Sequence, residues 1–284
     1  MLFRQDPQIF SIKLKRDLLV LNTPILMGIL NLTQNSFYDG GTLHGIDDIL
    51  SRIETMLEEG ATIIDIGAMS SRPFSEALSI SEELKPLETY LPKIMARFSE
   101  TYFSIDTYRS TIAQFALENG VCMLNDISAY RLDKELISVL KKHQVPYVLM
   151  HMKGIPQDMQ MNPEYDNLLL ELYQFFDSKI MELKSKGISD IILDLGFGFG
   201  KRIEDNYKLL KNLSYFHTLD LPILTGISRK SMIYKPLGST AKDALNGSTA
   251  LHFEALRQGS KILRVHDVKE AKEVITLYNL YEKS

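Results

Sequence analysis

Eight short apolar runs punctuate the chain, separated from one another by longer amphipathic stretches. The runs are PILMGIL (24–30), ATIIDIG (61–67), YFSID (102–106), VCMLND (121–126), PYVLMH (146–151), DIILDL (190–195), LPILTGIS (221–228) and KILRVH (261–266). Each is too short for a free-standing helix, and most are unbroken rather than alternating, which predicts strands covered on both faces in a parallel sheet. The stretches at 46–60, 110–120 and 167–187 carry helical periodicity and stop at a glycine, which favours a left-handed helix end. Eight β–α units in 284 residues predict an α/β fold. The expected form is a closed (β/α)8 barrel, the TIM barrel, for which about 250 residues is typical. A doubly wound open sheet is the rival, but eight parallel strands without a second domain suit it less well. The first 23 residues are surplus to the barrel, and IFSIKLKRDLLVL within them predicts a hairpin capping its floor. One domain over 1–284 is expected, with 1–23 as its hairpin extension.

Polar or charged residues end all eight apolar runs. In order they are Asn31, Asp65, Asp106, Asn125, His151, Asp194, the trio Ser228, Arg229 and Lys230, and finally Arg264 with His266. In a (β/α)8 barrel these positions converge on the C-terminal mouth, where active sites of this fold lie. Asp, Asn and Ser at strand ends can also simply cap the next helix. Lys230, Arg264 and His266 are poor caps, however, and a buried charge costs several kcal/mol unless it is paired or used. The set divides by chemistry. Asp65, Asp106, Asn125 and Asp194 suit the edge of a flat, nitrogen-rich heterocycle. Arg72, Arg229, Lys230, Arg264 and His266 suit a phosphate or pyrophosphate, and Asn31 could hold a magnesium ion in company with phosphate oxygens.

Composition narrows the context. A net charge of −4 gives no general attraction to nucleic acid or an anionic membrane, so an anionic ligand must be met by a local basic cluster. The single cysteine, Cys122, cannot form an internal disulfide, no segment is apolar enough to span a bilayer, and MLFRQDPQIF lacks the apolar core of a signal peptide. A cytoplasmic protein acting on small molecules is expected. The run GFGFGK (196–201) is not a Walker A loop, because Leu195 stands where the first glycine belongs and Arg202 where Ser or Thr belongs. It is expected to be a flexible loop presenting Phe199 and Lys201 over the mouth, with Met150 placed to pack on a ligand ring. His44, His143, His217 and His252 are given no role.

The stretches MGILNLTQNSFYDGG, DIGAMSSRP, SIDTYRS, LNDIS, VLMHMKG, ILDLGFGFGK, GISRKS and RVHDVKEA, in that order from Ile25 to Val274, resemble the dihydropteroate synthase family. The resemblance implies a barrel that joins 6-hydroxymethyl-7,8-dihydropterin diphosphate to 4-aminobenzoate with Mg2+ in folate biosynthesis, works as a homodimer and is a sulfonamide target. It implies that Asp65, Asp106, Asn125, Met150, Asp194 and Lys230 bind the pterin, and that Asn31, Arg72, Arg264 and His266 bind the diphosphate, with Asn31 also on the metal. Ser71, Arg72, Pro73, Phe199 and Ser231 would border the 4-aminobenzoate. Asn35, Lys230, Arg264 and His266 would take part in catalysis.

Three stretches depart from the family's usual wording. Gln34-Asn35 stands for Pro-Asp, Ala68-Met69 for Gly-Glu, and Leu195 for Pro. An Asp at 35 would place a negative charge near a developing cation, and losing one such contact typically slows a reaction by on the order of 10²-fold to 10³-fold. Gln34 also lacks the restricted backbone of proline. A slowed synthase is expected, and a pterin-binding relative with weak or no turnover is the alternative. A corrinoid-linked methyltransferase lacks support because SRKS and RVHDV are present and a corrinoid domain is not. A Schiff-base aldolase acting through Lys230 would leave a borohydride-trappable adduct.

Overall fold

The computed structural model describes residues 9–32, 45–68, 78–156, 159, 161 and 163–284. An antiparallel hairpin, β1 (Ser11–Leu14) and β2 (Asp17–Val20), precedes eight parallel strands. These are β3 (Ile25–Asn31), β4 (Ile63–Gly67), β5 (Tyr102–Asp106), β6 (Met123–Asp126), β7 (Tyr147–Met150), β8 (Ile191–Asp194), β9 (Ile223–Thr225) and β10 (Ile262–Val265). Each pairs with its neighbours in sequence, and β10 returns to pair with β3, so the sheet closes into a barrel. All eight expected runs hold strands, most of them trimmed at their ends, with β5 matching its run and β3 reaching one residue further to Asn31, and the closure decides against the open sheet.

The helices of the outer ring are α1 (Ile46–Glu58), α2 (Ile80–Arg97), α3 (Ser110–Glu118), α4 (Leu136–His143), α5 (Leu168–Ser185), α6 (Ile203–Lys211), α7 (Ser231–Tyr234), α8 (Leu245–Arg257) and α9 (Val268–Lys283). The three expected helices are α1, α3 and α5, and the glycines that come after them, Gly60, Gly120 and Gly187, all have positive φ. α2 begins at a capping box in which the Ser79 hydroxyl accepts from Glu82 N and the Glu82 carboxylate accepts from Ser79 N. None of the described helices is long and apolar enough to cross a membrane.

Because side chains alternate across a strand, every strand has one face toward the helices and one toward the barrel axis. Leu26, Leu30, Ile64, Ile66, Phe103, Ile105, Leu124, Leu149 and Leu193 pack outward in the large helix-facing core. Met27, Ile63, Met123, Val148, Ile192, Leu224 and Ile262 face inward and form one apolar layer together with Ile12, Leu14 and Leu21 from the hairpin and the turn after it. The hairpin therefore plugs the floor. Polar contacts tie it to the barrel: Lys13 N donates to Asp190 Oδ2 at 2.7 Å, and Tyr102 Oη donates to Asp17 Oδ2 at 2.8 Å.

Candidate active site

One inward step above the floor the residue type changes. Ile63 is followed at that step by Asp65, Met123 by Asn125, Ile192 by Asp194 and Ile262 by Arg264, while Asp106 ends β5 two residues beyond Ser104. The barrel's curvature brings these groups together from strands far apart in sequence. Arg264 Nε donates to Asp65 Oδ2 at 2.7 Å, and its Nη2 donates to Asp106 Oδ2, also at 2.7 Å. Asn125 Nδ2 donates to the same Asp65 oxygen at 2.9 Å. Gly226 makes room beside them. A Cβ there would lie 3.9 Å from Lys230 Nζ and from Arg264 Cβ, and 4.0 Å from Asp194 Oδ2.

Charges gathered above a dry floor are poorly solvated, and their proton affinities shift accordingly. Burial pushes Asp106 up to about 7 despite its pairing with Arg264. It raises Asp194 as well, with Lys230 opposing, and lowers Lys230 to about 8. Burial works against the Arg264 charge, but the Asp65 and Asp106 carboxylates more than offset it and hold the guanidinium above its ordinary range. His266 is pushed down to about 3, first by burial and then by Arg264, so it is a neutral imidazole at physiological pH. Its Nδ1 lies 3.2 Å from Ser228 Oγ, which also accepts from His266 N.

Beside the charged layer, where Met150 pairs with Asp194, lies a small apolar cluster of Ile127, Met150, Met152 and Met159, with Phe199 and Tyr108 packed against it. Met150 faces inward there, where a flat ring could lie on it. Lys230 Nζ sits 4.7 Å from the centre of the Phe199 ring, in cation–π reach, and donates to Phe197 O at 2.6 Å. Ser231 opens α7 directly after Lys230, half-buried at the same rim.

Asn31, the last residue of β3, is half-buried beside Gly67 and brings an amide oxygen, a hard donor of the kind magnesium takes. Among the described residues no group of three or more His, Cys, Asp or Glu is gathered in a way that could hold a metal ion. A single amide oxygen suits an ion that completes its shell from a diphosphate and water. Asn35, Ser71, Arg72 and Pro73, with Gln34 and Met69, lie outside the described residues. Ala68 and Leu195 are both buried in the helix-facing core.

Three expectations for the rim are corrected. His151, the first residue after β7, turns outward, packing edge-on against Phe175 of α5 with ring centres 4.9 Å apart; being one position past Met150, it falls on the opposite face. Arg229 does not belong to the phosphate set. It forms a bidentate pair with Asp267 at 2.7 and 2.8 Å, and its Nη1 donates to the carbonyls of Ala241 and Lys242. Lys201 does not hang over the mouth; it is buried, and its amine is turned back under the loop that carries it.

Two supporting residues lie outside the strand-end pattern. Glu83, wholly buried on α2, accepts from Thr107 Oγ1 at 2.8 Å and from Arg109 Nη1 at 2.9 Å, anchoring the chain that leaves Asp106. A signal for it is present in the sequence, since Glu83 heads the buried stripe completed by Leu87, Leu91 and Ile94. Asp267, which clamps Arg229, carries none, because an acid before a helix is ordinary capping.

Comparison with known proteins agrees with this geometry. Residues 27–266 match the family described as pterin binding enzyme. The chain is 39% identical over 260 residues to the dihydropteroate synthase of Haemophilus influenzae, covering 91% of this chain and 94% of that one. A crystal structure of Yersinia pestis dihydropteroate synthase with a sulfonamide drug complex superimposes with a TM-score of 0.92 at 36% identity, covering 97% of this chain and 100% of the other. Xanthomonas albilineans dihydropteroate synthase with 4-aminobenzoic acid gives a TM-score of 0.88 at 32% identity, covering 99% of this chain and 100% of the other.

Proposed function

The chain belongs to the pterin binding enzymes and, within them, to the dihydropteroate synthases, and on that premise we propose that it joins 6-hydroxymethyl-7,8-dihydropterin diphosphate to 4-aminobenzoate, giving 7,8-dihydropteroate and pyrophosphate. The observation that carries the reading is the buried layer in which Arg264 is shared by Asp65 and Asp106, with Asn125 on the same Asp65 oxygen. Two carboxyl groups on one guanidinium leave a net negative charge in a low-dielectric pocket once Asp106, raised to about 7, is ionised. Such a pocket receives the N–H groups of an amino-pyrimidine ring and favours positive charge developing on it.

Asp106, Asn125 and Asp194 hold the pterin edge in this reading, with Asp65 behind them, Lys230 donates to the ring, and Met150 lies against its face. Arg264, Arg72, Asn31 and the neutral His266 ring meet the diphosphate. Phe199, Ser71, Pro73 and Ser231 border the 4-aminobenzoate, which is also where a sulfonamide would compete. The carbon–oxygen bond at the pterin methylene breaks, with its electron pair leaving on pyrophosphate. The arylamine lone pair then forms the carbon–nitrogen bond, and the amine proton passes to pyrophosphate or solvent. The chain's part is to orient both partners and exclude water. Magnesium, when bound at Asn31, would neutralise charge on the leaving group. Lys230 acts as a donor throughout, and no covalent enzyme intermediate is needed.

Pyrophosphate release, measured with and without 4-aminobenzoate, tests the reading: release must depend on the arylamine. Binding of pterin diphosphate without release would favour the alternative, a pterin-binding relative weakened at Gln34-Asn35 and Ala68-Met69. We further propose a cytoplasmic homodimer joined through the last helices. The exposed Leu277, Leu280 and Tyr281 of α9 support that interface, and a monomer in sedimentation at micromolar concentration would overturn it.

A further inference from the structure

Lys201 is buried to 2% exposure, yet its amine has four acceptors around it. Its Nζ lies 2.9 Å from Gly196 O, 3.2 Å from Phe199 O, 3.1 Å from His151 Nδ1 and 3.4 Å from His151 O. Burial lowers Lys201 to about 7, with Asp194 opposing; an ammonium has three protons and a neutral amine two, so in either form these acceptors take every proton and leave no donor for a ligand. Burial, and then the Lys201 charge, push His151 well below the ordinary imidazole range, so the ring is neutral and its Nδ1 lone pair accepts.

These acceptors join two elements, the chain leaving β7 and the chain leaving β8. Between them the segment 196–200 is pressed close against the chain leaving β7. Gly196 and Gly200 have φ of +69° and +61°, and a Cβ at these positions would come within 1.9 Å of His151 O and 2.3 Å of Lys153 O. Asn206 Oδ1 accepts from Gly198 N at 2.7 Å, and Tyr165 Oη donates to Gly200 O at 2.7 Å, so the outer edge is fastened too. The segment in turn presents Phe197 O and the Phe199 ring to Lys230. Gly196 N also donates to Asp194 Oδ1 at 2.8 Å, so the segment steadies one strand-borne carboxylate, whereas Asp65, Asp106 and Asn125 stand on strands and are held there by hydrogen bonds to one another and to Arg264.

We infer that Lys201, with His151 as its acceptor, is a positioning residue chiefly for the arylamine half of the site: it fixes the segment that presents Phe199, aims Lys230 and steadies Asp194, and leaves Asp65, Asp106 and Asn125 of the pterin half to stand by themselves. The inference rests on the proposed reading of Phe199 as a border of the 4-aminobenzoate pocket. A small displacement of a group that aligns two reactants is enough to lower the rate by about tenfold or more.

The test is Lys201→Met and Lys201→Gln in the full chain, assayed by pyrophosphate release and by calorimetry with pterin diphosphate. Lys201→Met is expected to raise KM for 4-aminobenzoate and lower kcat by about tenfold each, with a smaller loss of pterin affinity, about threefold, passed on through Lys230 and Asp194. Lys201→Gln keeps two N–H donors for the Gly196 and Phe199 carbonyls and should recover part of both losses. Should the Met variant fail to fold, the Gln variant decides, since it must show the same split in smaller measure. Equal weakening toward both substrates, or no change toward either, overturns the inference. Absence of turnover in the unaltered chain, or a Phe199→Ala change that leaves KM for 4-aminobenzoate as it was, would instead remove the underlying reading of the site.

Discussion

The floor and the mouth of the barrel are made from the same strands, two residues apart, and they do opposite work. At the floor Met27, Ile63, Met123, Val148, Ile192, Leu224 and Ile262 meet Ile12, Leu14 and Leu21 of the N-terminal segment in a layer without a charge. At the mouth the next inward positions bring Asp65, Asn125 and Arg264 into one hydrogen-bonded group, with Asp194 and Lys230 facing the space beside Gly226. The lower layer closes the barrel to water from beneath. It thereby creates the weak solvation that pushes Asp106 up to about 7 and Lys230 down to about 8. The floor supplies stability and dryness, and the mouth converts that dryness into electrostatics strong enough for binding and bond cleavage.

If that division holds, substitutions in the two layers should separate activity from stability. The largest effect is expected at Arg264. Replacing it with Met strands two buried carboxylates, which should lower turnover by on the order of 10³-fold and destabilise the fold by about 3 kcal/mol. Parallel pyrophosphate-release and urea-unfolding measurements check both numbers, and retained turnover would make the mouth a second floor.

Asn35→Asp comes next. It restores the charge that the family's usual first loop carries at this position, and kcat should rise by on the order of 10²-fold. No gain in steady-state rate would mean that the strand-borne carboxylates already suffice.

Leu14→Ala probes the floor alone. Loss of a wholly buried leucine should cost about 3 kcal/mol of stability, seen as an earlier urea midpoint. KM for both substrates should stay where it was in the folded fraction. A rise in KM comparable to the stability loss would show that the two layers are not separable.

The smallest expected effect is a pH dependence confined to the mouth. Asp106 is raised in the folded state, so its contribution to stability is fully present below about 4 and is lost as pH rises toward 7. Pterin binding runs the other way, since the carboxylate must be ionised to accept from the ring. Affinity for the pterin diphosphate should therefore fall about tenfold between about pH 8 and about pH 6. Asp106→Asn should abolish this dependence in calorimetry, and a profile unchanged by that substitution would assign the titration to another group.

Much of this is legible along the chain. Short unbroken runs mark the strands, the period of two marks which residues share a face, and Asp65, Asn125, Asp194 and Arg264 come after inward apolar residues at that period. The same rule applied strictly places His151 on the outer face, one residue past the inward Met150. Assigning every polar strand end to the rim overlooks that step. Strand periodicity is local because it is set by the pleat of a few consecutive residues. Partnership is not local. Arg264 meets Asp65 across 199 residues only because β10 closes against β3. Arg229 is drawn to Asp267 across 38 residues, and Lys201 reaches His151 across 50, where neighbouring strands of the ring deliver them side by side. Which residues could enter the barrel was written in the sequence. Which charges pair with one another, and which remain for a ligand, was decided by the tertiary structure, because both depend on distances and solvation that only the closed barrel creates.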